Sequence, residues 1–195
     1  MSPSPSPAPG EARSIALALV NTELWPRGQA IDLLADGRTL ARWLRDRGLP
    51  APPATAIGVA ELARVHALRA AIRAVFTARA GGARAPRAAV DEVNRAAALA
   101  PRTPRLVWGP DGPRQATTWP ADAGPLEIAL AWIAGDAIET VRGASGERLR
   151  TCDAHGCDRL FIQDHGRRRW CSRTCGDRVR FARHYRRTHP AARGG

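Results

Sequence analysis

A chain of 195 residues, 44% of them hydrophobic, has enough apolar material for one ordinary domain or a medium domain with a small companion. It contains no run of about 18 apolar residues, so no membrane-spanning helix is expected. The net charge of +12 comes from arginine alone, because all 30 basic residues are Arg; thirteen of them, against four aspartates, fall between residues 148 and 195. Nine of the twelve excess charges thus sit in the last quarter of the chain, which is the electrostatic footprint of a polyanion binder. The preference for arginine over lysine carries no functional weight by itself.

Residues 1–10 repeat Ser-Pro without a basic residue or an apolar run. They do not read as a signal peptide, and residues 1–12 are expected to form a disordered lead-in. A cytoplasmic location follows as an expectation. Thiols stay reduced there, so the four cysteines favour a metal over disulfides.

Ser14 is placed to cap a short apolar segment from Ile15 to Leu24, whose type, helix or strand, so few residues leave open. A turn around Pro26–Gly28 follows. Thr39 begins a helix with Leu40, Trp43 and Leu44 on one face, closed by Gly48, and Ala51-Pro52-Pro53 connects onward. The longest helix runs from Val59 to Ala80, where Leu62, Val65, Leu68, Ile72, Val75 and Phe76 form a buried stripe. His66 lies beside that stripe and is expected to be a structural histidine. Pro86 suits the first turn of another helix, with Val90, Val93 and Ala97 inward. Leu106-Val107-Trp108, the turn Gly109–Gly112, and Gln115 to Trp119 predict a β-hairpin. Pro125 opens a helix to Val141 with Leu126, Leu130, Ile133, Ala137 and Val141 inward.

Gly143-Ala144-Ser145-Gly146 breaks this pattern and divides the chain. The fold expected is α+β: a mostly helical domain over 13–142 with one small hairpin, and a zinc-finger domain over 147–190. The first should fold around Leu44, Leu62, Val65, Ile72, Val93, Leu130 and Ile133 independently of metal.

The cysteines occur as Cys152-x4-Cys157 and Cys171-x3-Cys175, with thirteen residues between the pairs. Two close pairs joined by a folded segment are what a tetrahedral zinc site requires, and four thiolates leave no open position for water. One structural zinc is therefore expected. His155 and His165 are the only competing ligands nearby, and four thiols make them unnecessary. Leu160-Phe161-Ile162 and Arg167 to Trp170 are expected to pair as two strands. Ser172 is a good N-cap, placing Cys175 in the first turn of a final helix. A turn holding one pair and a helix start holding the other resembles a treble-clef finger. So small a unit needs its metal to fold.

On a helical wheel Cys175, Phe181, Ala182 and Tyr185 share one side with Arg178, which is expected to point into the finger. Arg173, Arg180, Arg183 and Arg187 cluster on the opposite side, with His184 at the edge, and Arg167, Arg168 and Arg169 precede the second cysteine pair. These seven arginines are the candidate nucleic-acid contacts, since the planar guanidinium donates paired hydrogen bonds to phosphate. Most charge runs are merely solvated faces, and that reading stands beside this one.

Cys152, Cys157, Arg168-Arg169-Trp170-Cys171-Ser172 and Cys175-Gly176-Asp177-Arg178 resemble the CGNR zinc-finger family, with Asp177 where that family has Asn. Ala18-Leu19-Val20-Asn21-Thr22, Asp32-Leu33-Leu34 and Leu40-Ala41-Arg42-Trp43-Leu44 are similar to the ABATE domain that precedes this finger. The resemblance implies a bacterial, stress-related transcription regulator, with the finger on DNA and the ABATE domain as a sensor of a small molecule or a homodimerisation unit. Asn21 and Thr22 are weak candidates for ligand contacts and stronger ones for structural bonds. Trp25, Trp43, Trp108, Trp119 and Trp132 suit either a pocket or plain core. The competing functions are an RNA-binding protein, a protein-interaction module, and an enzyme with its site in the N-terminal domain. No Ser-His-Asp set, paired carboxylates or phosphate loop supports the last, and no enzymatic activity is expected.

Overall fold

The structure is a computed structural model that describes residues 6–25 and 29–188. The turn expected at Pro26–Gly28 lies outside the described residues, as do residues 1–5 of the lead-in and 189–190 of the finger.

Helix α1 (Ile15–Val20) is capped by Ser14, whose hydroxyl accepts the Leu17 N–H at 3.2 Å and donates to Asp136 at 2.7 Å. Ala16 to Val20 are all buried, because α1 packs against the two longest helices of the domain. A helix buried all round shows no amphipathic period, which is why its type was illegible. Two short strands, β1 (Glu23–Leu24) and β2 (Ile31–Asp32), pair antiparallel after it.

Helix α2 (Gly37–Arg45) starts two residues before Thr39, because Asp36 is the cap. Its carboxylate accepts the Thr39 N–H at 2.7 Å, and the Thr39 hydroxyl accepts the Asp36 N–H at 3.3 Å. Gly48, at φ +67°, turns the chain so that the Leu49 N–H reaches the Leu44 carbonyl.

Helix α3 (Val59–Ala80) has the bounds its sequence predicts. Val65, Leu68, Ile72 and Phe76 are buried, while Leu62 and Val75 pack at the core's edge. Helix α4 (Arg87–Ala97) buries Ala89, Val93 and Ala96 instead of Val90, which is 38% exposed. These small residues lie on one face and let α4 approach both α3 and helix α5 (Pro125–Arg142). Along α5, Leu126, Leu130, Ile133 and Ala137 are buried as expected.

Strands β3 (Thr103–Gly109) and β4 (Gly112–Thr118) form the expected hairpin, in register from Thr103↔Thr118 to Gly109↔Gly112. The hairpin projects, with Leu106 and Trp108 exposed. Trp119 packs on Trp132 at 5.7 Å between ring centroids.

The Gly143–Gly146 break is a four-residue helix, α6 (Ala144–Glu147), leading to β5 (Leu149–Thr151), β6 (Leu160–Ile162) and α7 (Arg173–Thr188). Gly146 is required here: a β-carbon would lie 2.1 Å from the Val141 carbonyl oxygen. Strand β6 pairs with β5, not with Arg167–Trp170 as its sequence suggested. The reason is burial. Leu149, Leu160 and Ile162 are at most 1% exposed and belong to the same hydrophobic core as α1 and α3.

The division into two units is therefore one of sequence more than of packing, since the first unit shares its core with β5 and β6 of the second. Asn21 acts as a piece of strand across the boundary. Its side-chain carbonyl accepts the Leu160 N–H at 3.1 Å, and its amide donates to the Leu160 carbonyl at 2.8 Å and to Glu11 at 2.6 Å. Arg73 of α3 donates to the Val20 and Glu23 carbonyls and also to the carbonyl of Asp158, beside Cys157.

Residues 6–12 are not a free lead-in. Ala8 is 3% exposed and sits in the finger's own small core with Cys152, Phe161 and Cys171. The Ile162 N–H donates to the Pro9 carbonyl at 2.8 Å. Gly10, at φ +99°, lies so close to the Ile162 side chain that a β-carbon would meet it at 2.8 Å. No helix among the described residues is long and apolar enough to cross a membrane.

Candidate metal centre and nucleic-acid interface

The first cysteine pair sits on the turn between β5 and β6. The Cys152 N–H donates to the Arg159 carbonyl, and the Cys157 N–H to Ala154, which folds residues 152–157 into a tight loop. The second pair sits at the start of α7. The Ser172 hydroxyl accepts the Cys175 N–H at 3.1 Å, so Ser172 caps the helix as expected. The Arg167–Trp170 segment joins the first loop through one backbone bond, from the Asp153 N–H to the Arg169 carbonyl.

These two supports bring all four sulfurs within 4.8 Å of one another. Cys171 Sγ lies 3.7 Å from both Cys157 Sγ and Cys175 Sγ. Four sulfurs at about 2.3 Å from a zinc ion sit about 3.8 Å apart, whereas a disulfide brings two to about 2.05 Å. The spacing is that of a metal site, and all four cysteines are free thiols. The electrostatics agree. Hydrogen bonds from the Cys157 and Cys171 thiols drive the Cys152 thiol far down. Beside that thiolate the Cys157 thiol is pushed up to about 12, and the Cys171 thiol is pushed up as well. Four sulfurs this close reach the fully ionised state only around a cation. The backbone N–H of Cys171 points at Cys152 Sγ at 3.4 Å and would orient that ligand. His165 pairs with Asp164 instead of joining the cluster.

The arginines divide. Arg168 is held by Asp164 at 2.6 Å, Arg169 by Asp153 at 2.8 Å, and Arg180 by Asp177 one turn earlier. Arg167, Arg173, Arg183 and Arg187 are exposed and have no acidic partner among the described residues. Two of these pairs, Arg180 with Asp177 and Arg168 with Asp164, stand at i,i+3 and i,i+4 spacing and were legible in the sequence; only Arg169 with Asp153, sixteen residues away, was not. Arg178 corrects a second expectation. It is exposed, with its guanidinium 3.8 Å from Cys175 Sγ. Replacing it with alanine should leave stability within about 0.5 kcal/mol of wild type in a thermal melt.

Phe181 and Tyr185 are not inward either, being 73% and 63% exposed. The finger's small core reaches only as far along α7 as Val179, so the helix beyond it stands in solvent.

Asn21 is 4% exposed and Thr22 3%. Their polar atoms are taken: Asn21 by Leu160 and Glu11, and Thr22 by the Leu19 carbonyl and Arg69. Both are structural residues at the rim of a cleft. The sequence reading missed Arg159, Glu11 and Arg73, which bind the finger to the helical domain. The Arg159 guanidinium donates to Glu11 and the Ser6 carbonyl. No motif singles it out among the thirteen arginines of residues 148–195.

A buried four-thiolate site between a β-turn and a helix start defines a zinc-finger protein, with one structural zinc held by Cys152, Cys157, Cys171 and Cys175. The finger, residues 148–188, matches the CGNR zinc finger. Residues 13–144 match the ABATE family, whose description is "Putative stress-induced transcription regulator", and the chain belongs to that family. Among curated proteins none matches the chain.

Proposed function

We propose that the chain is a transcription regulator that holds DNA with the arginine face of α7, while the ABATE domain serves as its sensor or dimerisation unit. The observation that carries this reading is the set of exposed, acid-free arginines, Arg173, Arg183 and Arg187 on α7 and Arg167 just before it, on a helix whose start the metal site fixes. Free guanidinium groups on a rigid helix are suited to phosphate.

Each phosphate neutralised on duplex DNA lowers the slope of log affinity against log salt by about 0.9. Replacing Arg183 and Arg187 together with alanine should flatten the slope by about two units and weaken binding to all duplexes alike. Fluorescence anisotropy over a salt series measures both. An unchanged slope and affinity would leave α7 a merely solvated face.

A second reading has support of its own. Phe181 and Tyr185 stand exposed one turn apart beside the arginines, and aromatic side chains stack on unpaired bases. Selection from duplex DNA, single-stranded DNA and RNA pools separates the two. We read the protein as a binder and not an enzyme. His66 Nε2 does face Asp32 at 3.3 Å, but both Asp32 oxygens are held by Arg69 and His66 Nε2 also lies 3.2 Å from the Leu34 carbonyl. We read that constellation as a structural network, in which the Thr22 hydroxyl accepts from Arg69 and donates to the Leu19 carbonyl.

A further inference from the structure

A cleft between α2 and the finger is lined by two residues that each bury a donor without an acceptor. It measures about 390 Å³, within the roughly 300–1,000 Å³ usual for small-molecule sites. Ala18, Leu33, Leu34 and Trp43 give it apolar walls, and Arg42 and Arg159 are also in its lining. Trp43 is 8% exposed and Arg159 6%. The indole Nε1–H of Trp43 and the Nε–H of Arg159 have no hydrogen-bond partner among the described residues. An orphaned buried donor costs about 1–3 kcal/mol, and an acceptor that reached either donor by way of the cleft would relieve that cost.

The charges point the same way. Glu11, a half-buried acid of the cleft, has one carboxylate oxygen matched by Arg159 at 2.7 Å and by the Asn21 amide at 2.6 Å. Arg47 is occupied above the Trp43 ring, 4.1 Å from its centroid, with Asp46 beside it at the exposed rim. Arg42 has no ion-pair partner among the described residues. The unmet demand is for an oxygen acceptor bearing negative charge, over an apolar floor.

We propose that this cleft binds a small organic carboxylate, whose oxygens accept from Trp43, Arg159 and Arg42 while its apolar part lies on Leu33 and Leu34. Its role as an effector rests on the regulator reading above; the binding itself does not. Arg159 lies two residues beyond the zinc ligand Cys157 and next to β6, so an occupant touches the helical domain and the finger at once.

Isothermal titration of the zinc-loaded full chain with benzoate tests this, with benzamide as the uncharged shape control. Benzoate should bind, and benzamide about tenfold more weakly or less, a difference of about 1.4 kcal/mol. Trp43→Phe keeps the ring packing and removes the donor. Arg42→Met changes an exposed side chain, so its fold is secure if the tryptophan variant is not. Each should weaken benzoate at least about fivefold. No heat with benzoate, equal binding of benzamide, or an unchanged affinity in Arg42→Met overturns the proposal. The Arg183→Ala/Arg187→Ala variant should bind benzoate like wild type, so a failure on DNA and a failure in the cleft register separately.

Discussion

Chelation of zinc from the intact chain is expected to unfold the finger and to loosen the helical domain with it. Structural zinc contributes roughly 10–16 kcal/mol in finger peptides, comparable to the whole stability of a typical domain, about 5–15 kcal/mol. Without the ion, four thiols within 4.8 Å lose what draws them together, and the loops between β5 and α7 lose their anchor. Leu149, Leu160 and Ile162 then lose their registration in the core they share with α1 and α3. Truncating even one such buried leucine costs about 2–5 kcal/mol. Cys171→Ser should have the same effect as chelation. Far-UV circular dichroism should fall by more than the sixteen residues of α7 account for, and amide protection should drop in α1 and along α3. If the loss stops at α7, the helical domain stands without the finger.

Asn21→Leu should be the most damaging substitution away from the metal. The new side chain is of similar size but cannot bond, so the Leu160 N–H and C=O lose their partner inside the protein. Each stranded group costs about 1–3 kcal/mol, so the two together cost about 2–6 kcal/mol before the lost bond to Glu11 is added. At about 2–4 °C per kcal/mol for a chain of this size, that lowers the melting temperature by about 4–24 °C. Zinc content should stay at one per chain, because Asn21 touches no ligand. A melting temperature equal to wild type would show that water replaces the amide at no cost and that the bridge is not structural.

The parts legible in the sequence were those written in local pattern. The apolar stripe of α3, Pro125 at the start of α5, the turn of the β3–β4 hairpin and the Ser172 cap each need only neighbouring residues to specify them. The four zinc ligands were legible for the same reason, as two tight pairs. What stayed hidden depends on distant partners. The type of α1 could not be read because both α3 and α5 cover it. The strand partner of β6 was missed because Leu149 looks like part of a linker until it is seen buried. Arg178 was placed inward on the assumption that the whole helix packs on the finger, whereas the core reaches only to Val179. The unpaired donors of Trp43 and Arg159 belong to residues 116 positions apart that share a cleft only in the folded chain.

The bridge from Asn21 to Leu160 closes a loop of 139 residues, and Glu11 reaches even further to Arg159. Contacts this distant in sequence slow folding, because the chain must give up loop entropy before they form. They also impose an order on the ribosome. Helix α1 is synthesised long before the strand that completes its environment, and at about 5–20 residues per second that wait lasts roughly ten seconds or more. During it, a helix apolar on every side waits first for α3 and α5 and last for β6, and any side still uncovered is a surface of the kind that chaperones hold. Zinc can enter only when the last cysteine has emerged, so arrival of the metal and closure of the N-terminal core become a single late event in the birth of the protein.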